Sequence, residues 1–200
     1  MKKIAKLLSL TLALILCMTA CAGATVLSTT YYIEELNLAV TVPTGYHVFD
    51  RNVQADDPVL GLLGRSAEDL SSYLKKNDLY FEVLHPDFKH EMTIAMAANS
   101  VDNFNNYGDN VLQQVADQIP SIFANQGWTV SKTELYKNDE ASFIKIFYQD
   151  PGATSYVLQY YTVYDYQSIN FRLFSYAGEI TAEDEALLLD LVNSADFAYR

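Results

Sequence analysis

The residues able to carry out nucleophilic chemistry do not form a complete catalytic motif in this sequence. Ser72 and Lys75 match the S-x-x-K pattern of penicillin-recognising enzymes, but those enzymes also need a K-T-G element, which Lys132-Thr133-Glu134 does not supply. The sequence contains no G-x-S-x-G, P-loop or H-E-x-x-H motif. We therefore predict no catalytic residues, no cofactor and a protein that is not an enzyme.

The densest group of potential metal ligands is His85, Asp87, His90 and Glu91. A zinc-type site needs three or four ligands that converge in a fixed geometry. A hairpin would bring the two histidines together, but the sequence does not identify a third ligand, and the same residues are typical of a solvated turn. We therefore expect no metal site in this segment.

The stretch from residue 102 to residue 109 is rich in Asp and Asn and invites comparison with a calcium loop. Phe104 occupies the third position of the D-x-[DN]-x-[DN]-G pattern, where an oxygen ligand is needed. The sequence therefore favours a polar loop that caps the helix after it.

Tyrosines are concentrated in one predicted strand, where they allow two interpretations. Tyr156, Tyr160 and Tyr164 share one face of this strand, and Tyr161 lies on the other. Aromatic pairs across neighbouring strands stabilise a sheet, so the tyrosines are typical of a core. Tyrosines that remain exposed would instead form a platform for a sugar, a peptide or a partner protein. These four residues are our candidates for partner binding.

The first 24 residues have the organisation of an export signal. Three lysines are followed by an apolar run from residue 7 to residue 17, and small residues close the segment. The run is shorter than the roughly 20 residues that a membrane-spanning helix needs. We therefore predict an export signal at residues 1–24 and one α+β domain with a short tether at residues 25–200.

Two cleavage chemistries compete at the end of this signal. Met18-Thr19-Ala20-Cys21 resembles the lipobox of bacterial lipoproteins, in which the cysteine becomes the lipidated N-terminus. Met18 departs from the more usual leucine. The alternative is ordinary secretion, with cleavage near Ala22-Gly23-Ala24 and loss of Cys21. The lipobox interpretation predicts attachment to the outer side of the cell membrane through lipid on Cys21.

Composition restricts the classes of partner. Cys17 and Cys21 are the two cysteines, so the exported domain is predicted to fold without a disulfide. The chain has a formal net charge of −12, and loss of the signal lysines makes it more acidic. This charge argues against binding to nucleic acid or adsorption to anionic lipid, and it is compatible with a cationic partner.

Periodicity predicts strands interrupted by a few helices. Alternation indicates a strand at residues 36–42, and a returning strand follows the turn at Pro43 to Gly45. It also indicates strands in the middle of the chain, around residues 79–84 and 92–96. Capping patterns indicate helices that begin after Asp57, Ser66 and Thr181. Helical spacing of apolar residues indicates another helix from about residue 109 to residue 125, which Pro120 is expected to kink or split. Strands from residue 128 to residue 176 indicate a meander. The predicted fold class is α+β, an antiparallel sheet with helices packed against it.

The order of elements resembles that of PsbP-like domains. The resemblance is carried by the strand that ends in Val42-Pro43-Thr44-Gly45-Tyr46, and by a long middle helix, a strand meander and a C-terminal helix. The family includes small exported lipoproteins of bacteria, so the resemblance implies an accessory or binding role. It transfers no functional residue to this sequence.

The sequence thus predicts a non-catalytic lipoprotein outside the cytoplasmic membrane that binds a partner protein or an envelope component. The alternative is a ligand- or ion-binding receptor, or an enzyme, with an unrecognised cleft. A buried cleft with several convergent acids or histidines would favour that alternative.

Overall fold

The computed structural model describes residues 27–152 and 154–197, so the predicted export signal and Cys21 lie outside the described residues. The strands are β1 (Ser28–Ile33), β2 (Leu38–Pro43), β3 (His47–Asp50), β4 (Leu79–Leu84), β5 (His90–Ala98), β6 (Thr129–Lys137), β7 (Ser142–Gln149), β8 (Tyr156–Tyr164) and β9 (Gln167–Ser175). The α-helices are α1 (Pro58–Leu63), α2 (Ala67–Lys76), α3 (Asp109–Ala124) and α4 (Ala182–Asn193), and 3₁₀ turns lie at Glu34–Leu36 and Phe104–Asn106.

Within the described residues, seven strands form an antiparallel sheet in the order β3-β4-β5-β9-β8-β7-β6, and β1 pairs with β2 separately. This arrangement confirms the predicted α+β class. The meander from β6 to β9 is also as predicted. The strand after the Pro43–Gly45 turn differs, because β3 does not return along β2 but joins the large sheet beside β4.

Helix boundaries follow local capping chemistry. Asp57 accepts a hydrogen bond from the backbone N–H of Val59, and Pro58 occupies the first turn of α1. The Ser66 side chain caps α2, and Thr181 and Asp184 form a reciprocal capping box at the start of α4. The three predicted helix starts are confirmed.

Helix α3 begins at Asp109 as predicted, but its N-terminal cap and its behaviour at Pro120 differ from the prediction. It runs without interruption through Pro120, whose position is exposed, so the lost backbone hydrogen bond does not split the helix. Its N-cap is Gly108, which contributes no side-chain hydrogen bond. The polar loop instead uses Asn103 to cap the short 3₁₀ turn before the helix.

The predicted strand at residues 36–42 begins two residues later than expected. Asn37 adopts a left-handed conformation (φ 49°), which breaks the extended backbone and leaves Leu36 in the preceding 3₁₀ turn. On the N-terminal side, β1 already begins at Ser28, so the pairing of Ser28 with Pro43 shortens the expected tether. In residues 27–152 and 154–197 we find no helix long and apolar enough to cross a membrane.

The large sheet buries apolar side chains on both faces. One face packs against the β1–β2 pair and α4, and its core includes Phe81, Phe171 and Leu188. The opposite face packs against α3 at the β7–β8 side and against α1 and α2 at the β3–β4 side. Because β8 lies inside the sheet and is covered on both faces, both sets of its side chains face packed neighbours.

Candidate functional site

The four candidate tyrosines do not form a common exposed platform. Tyr160 is only 1% exposed and packs edge-on against Tyr136 at a centroid distance of 5.3 Å. Tyr161 contacts Phe104 on the opposite face, and Tyr164 stacks on Phe197. Tyr160 is therefore unavailable to a partner, because its side chain belongs to the core.

Two of the remaining candidates, Tyr156 and Tyr164, border separate concave surfaces. Tyr156 lines a cavity of about 270 Å³ beside β6, together with Phe147 and Ile180. Tyr164 lines a larger cleft of about 610 Å³ at the other end of β8. Of the four, Tyr164 therefore has the clearest access to a large surface concavity.

The larger cleft is acidic and aromatic. We call it the acidic cleft, and its lining residues are Glu34, Glu35, Leu36, Asn37, Asp102, Asn103, Tyr164, Asp165, Tyr166, Gln167, Ile169 and Phe197. Among the described lining residues, four are carboxylic acids and none is basic. The acids come from the 3₁₀ turn after β1, the loop after β5 and the turn between β8 and β9. The fold thus gathers a negative surface from three distant segments.

Hydrogen bonds hold the loop segments of the acidic cleft in place. The backbone N–H of Tyr166 donates to the Asp102 carbonyl at 2.9 Å, and the N–H of Asn99 donates to the Tyr166 carbonyl at 2.7 Å. The Asn106 amide donates to the Asp102 carboxylate at 2.8 Å. The backbone N–H of Asn103 and the Asn106 amide lower the pKa of Asp102, so this side chain is ionised at neutral pH.

The β8–β9 turn holds Tyr166 in a left-handed conformation that disfavours any residue with a β-carbon. Asp165 and Tyr166 both have positive φ (49° and 61°), as in the tight hairpin turns that usually carry Asn-Gly. The side chain of Tyr166 is 57% exposed at the cleft. Strained backbone residues cluster at active sites, ligand clamps and switch regions, so this turn is a candidate contact surface.

Replacing Tyr166 with glycine should therefore stabilise the fold while removing the exposed ring. Glycine avoids the clash that a β-carbon meets in the left-handed region, which amounts to about 1 kcal/mol. We expect the free energy of unfolding, measured with urea, to rise by about this amount. A Tyr166→Ala control retains the β-carbon and should show no gain. Equal or lower stability for Tyr166→Gly would show that the turn is not strained.

A second group of polar side chains crosses the sheet on the face covered by α1, α2 and α3. Glu82, Thr93, Arg172 and Gln159 lie directly opposite one another on β4, β5, β9 and β8. We call this set the polar row. Glu82 and Thr93 are almost completely buried, and Glu82 Oε2, Thr93 Oγ1 and Arg172 Nε have no hydrogen-bond partner.

Glu82, the carboxylic acid of the polar row, has a raised pKa. Burial, followed by repulsion from nearby Glu91, raises the pKa of Glu82 to about 7, and the Arg65 charge only partly opposes this. Glu91 lies diagonally across the β4–β5 pair and accepts a hydrogen bond from the Tyr176 hydroxyl at 3.1 Å. These acids do converge, but Glu82 is covered by protein, so we assign the polar row no substrate.

The geometry adds a candidate third ligand to the histidine pair at residues 85–91. His85, Asp87 and His90 each place one potential ligand atom within 4.8 Å of the others, so Asp87 is that candidate. Glu91 lies outside this group and faces Tyr176. The side chain of His90 is only 16% exposed, so the turn is more closed than expected.

Among the described residues, the fold does not bring Ser72 and Lys75 next to the Lys132-Thr133-Glu134 segment. Both are exposed residues of α2. The Lys132-Thr133-Glu134 segment lies in β6, at the opposite edge of the large sheet from the strands beside α2. The fold therefore does not assemble the elements of a penicillin-recognising enzyme.

Comparison with known proteins finds likenesses among solved structures. No protein-family model matches the chain, and no curated protein matches it. The chain is similar to the solution structure of cyanobacterial PsbP (CyanoP) from Synechocystis sp. PCC 6803, at 14% sequence identity and a TM-score of 0.47. The match covers 88% of this chain and 95% of that chain. The sheet order and the packed helices of the described residues show that the protein has an antiparallel α+β fold.

Proposed function

We propose that this protein is a non-catalytic accessory protein that binds a basic segment of a partner protein through the acidic cleft. The observation that carries the proposal is the assembly of Glu34, Glu35, Asp102 and Asp165 around one concavity of about 610 Å³. The exposed ring of Tyr166 and the partly exposed Tyr164 add aromatic area to the same surface. Tyrosine and complementary charge are typical of protein interfaces.

The charge of the cleft selects for a cationic partner. An arginine or lysine side chain that enters the cleft meets carboxylates on several sides, and its aliphatic stem can lie along an aromatic ring. An acidic partner or a phosphate would meet like charge. The net charge of −12 extends the same preference over long range, which speeds encounter with a basic surface at low salt.

We further propose that the protein acts on the outer side of the cell membrane, anchored by lipid on Cys21. The lipobox-like Met18-Thr19-Ala20-Cys21 supports the anchor. The short spacing between Cys21 and the first residue of β1, Ser28, would hold the domain close to the membrane. Its partner would then be a membrane protein or another component of the cell envelope. Secretion without lipid is the alternative, and the mass of the mature N-terminus distinguishes the two.

Charge reversal in the cleft tests the binding proposal. The native protein is crosslinked in intact cells, and adducts are identified by mass spectrometry of the detergent-solubilised membrane fraction. We expect a reproducible partner whose recovery falls at least about tenfold for Glu34→Lys/Asp165→Lys. The matched control, Glu68→Lys/Asp117→Lys, changes the net charge equally at exposed positions on α2 and α3 and should retain the partner.

The outcomes separate the acidic cleft from a general charge effect. Equal loss of the partner in both double variants would show that net charge, and not the cleft, determines binding. Recovery of the protein without any partner, at good sequence coverage, would contradict the accessory role.

A further inference from the structure

The β4–β5 hairpin brings together three side chains that can bind a transition metal. The Nδ1 atom of His85 lies 2.9 Å from Asp87 Oδ1, and the Nδ1 atom of His90 lies 2.7 Å from Asp87 Oδ2. The carboxylate of Asp87 is therefore bracketed by two imidazoles. In a site with metal–ligand bonds of about 2.0–2.1 Å, neighbouring ligand atoms are roughly 3.3 Å apart. An ion bound between them would widen these two contacts to roughly 3.3 Å, and the ligand atoms of the two histidines already lie within 4.8 Å of each other.

The second nitrogen of His90 is held by a residue from another part of the chain. His90 Nε2 lies 3.2 Å from Asp184 Oδ1 in the first turn of α4. Asp184 is fixed in turn, because its other carboxylate oxygen accepts hydrogen bonds from the backbone N–H and the hydroxyl of Thr181. Histidines that bind metals usually donate their other N–H to a carboxylate, which sets the ring orientation and leaves the first nitrogen free for the ion. His90 Nε2 faces Asp184 in this way, and His90 Nδ1, which contacts Asp87 in the structure, is the nitrogen that the ion would bind.

The hairpin backbone also fixes the position of Asp87. Its Oδ1 atom accepts the backbone N–H groups of Lys89 at 2.8 Å and His90 at 3.2 Å. Phe88 takes a positive φ of 55°, which closes the turn between the two histidines. The His85 ring packs edge-on against Tyr46 at a centroid distance of 5.1 Å. Each of the three side chains is therefore also held in place by a contact other than those with the other two side chains.

We propose that this hairpin binds one divalent transition-metal ion of the zinc class, with His85, Asp87 and His90 as ligands and Asp184 as the residue that orients His90. Two imidazoles and one carboxylate favour Zn²⁺, Co²⁺ or Ni²⁺ over Ca²⁺ and Mg²⁺, which prefer oxygen ligands. The side chains of His85 and Asp87 are about one third exposed, so water can complete the coordination. This site is separate from the acidic cleft and does not depend on the proposed function.

Titration with ZnCl₂ and CoCl₂ tests the site, using the exported domain in a buffer with 1 mM CaCl₂. Calcium occupies surface carboxylates that bind divalent ions weakly. We expect one equivalent of Zn²⁺ to bind with a dissociation constant below about 10 μM by calorimetry. We expect Co²⁺ to give visible absorption bands of a four- or five-coordinate complex with nitrogen and oxygen ligands.

The third histidine provides a matched control. His47 stacks on Phe88 beside the same hairpin, but it is not a member of the ligand group. His85→Gln/His90→Gln should weaken Zn²⁺ binding at least about 100-fold and abolish the Co²⁺ spectrum, whereas His47→Gln should change neither. Asp184→Asn should weaken binding by about tenfold to 100-fold, as expected for a positioning residue.

Two results would overturn the proposal. The first is the absence of one-equivalent Zn²⁺ binding to the wild-type protein at 100 μM. The second is equal loss of binding in His47→Gln and in the His85/His90 double variant. Circular dichroism of each variant establishes that it is folded before its affinity is interpreted, and the wild-type titration tests the site even if a variant is unstable.

Discussion

Replacing Glu82 with glutamine should stabilise the protein by about 3 kcal/mol at pH 8 and by less than about 1 kcal/mol at pH 5. Burial is the main reason that the pKa of Glu82 rises to about 7, from an ordinary value near 4.5. The folded protein therefore holds a proton between pH 4.5 and pH 7 that the unfolded chain has already lost. Each pKa unit corresponds to 1.36 kcal/mol.

The sign of the pH dependence follows from this difference in proton binding. The stabilising contribution of protonated Glu82 is fully present below about pH 4.5 and is lost as the pH rises through 7. Above pH 7 the folded state must hold a buried carboxylate beside Glu91. Glutamine has nearly the same shape and carries no charge, so the variant should lack this pH-dependent loss.

Urea unfolding between pH 5 and pH 8.5 measures the effect. The exposed α2 residue Glu68 supplies the control, because Glu68→Gln should leave the pH dependence of the wild type unchanged. Equal stability of Glu82→Gln and the wild type at pH 8 would mean that Glu82 does not hold a buried charge there.

Removing both acidic partners of Lys145 should destabilise the protein by about 3 kcal/mol at pH 7. Lys145 is 7% exposed on β7, where its amino group pairs with Glu185 of α4 and lies 3.6 Å from Glu134 of β6. The double variant Glu134→Gln/Glu185→Gln leaves the ammonium group buried without a counter-charge. Removing one partner of a buried ion pair typically costs about 3–5 kcal/mol of stability. Because both glutamates are partly exposed, we expect a cost near the lower end of this range.

Adding Lys145→Met to that double variant should restore most of the lost stability. Methionine has a similar length, and the site is apolar enough to accept it, since the Lys145 amino group lies 4.8 Å from the centre of the Phe147 ring and 5.8 Å from that of Tyr160. Urea unfolding of the wild type, the double and the triple variant separates the cost of an unpaired charge from a loss of packing. A triple variant that is as unstable as the double would contradict this explanation.

Local signals made the helix starts predictable from the sequence. Asp57, Ser66 and Thr181 act within three residues of themselves, so the physical cause of each helix start is contained in a short segment. Alternation similarly predicted most of the strands and both faces of β8. The strand order was not predictable in this way, because the pairing of β3 with β4 depends on contacts between distant segments.

The candidate sites were also only partly predictable, because they depend on contacts between distant segments. His85, Asp87 and His90 are close in sequence, so their grouping was visible, whereas Asp184 reaches His90 only through the packing of α4. The acids of the acidic cleft come from three distant segments, and no local pattern relates them. Tyr160 was a candidate for a surface role because its burial depends on what covers each face of β8, which its alternation cannot reveal. For the polar row, the available signal in the sequence was a charged residue, Glu82, within an apolar strand.

Photocrosslinking from the acidic cleft tests the proposed partner binding most directly. A photoreactive phenylalanine analogue is placed at Tyr166 of the cleft or at Tyr176, which has a similar exposure of 53% but lies beside Glu91, away from the cleft. Cells are then illuminated, and adducts are identified by mass. Our account predicts one dominant protein adduct from position 166, absent from position 176 and lost on Glu34→Lys/Asp165→Lys. No adduct from position 166, or the same adducts from both positions, would contradict it.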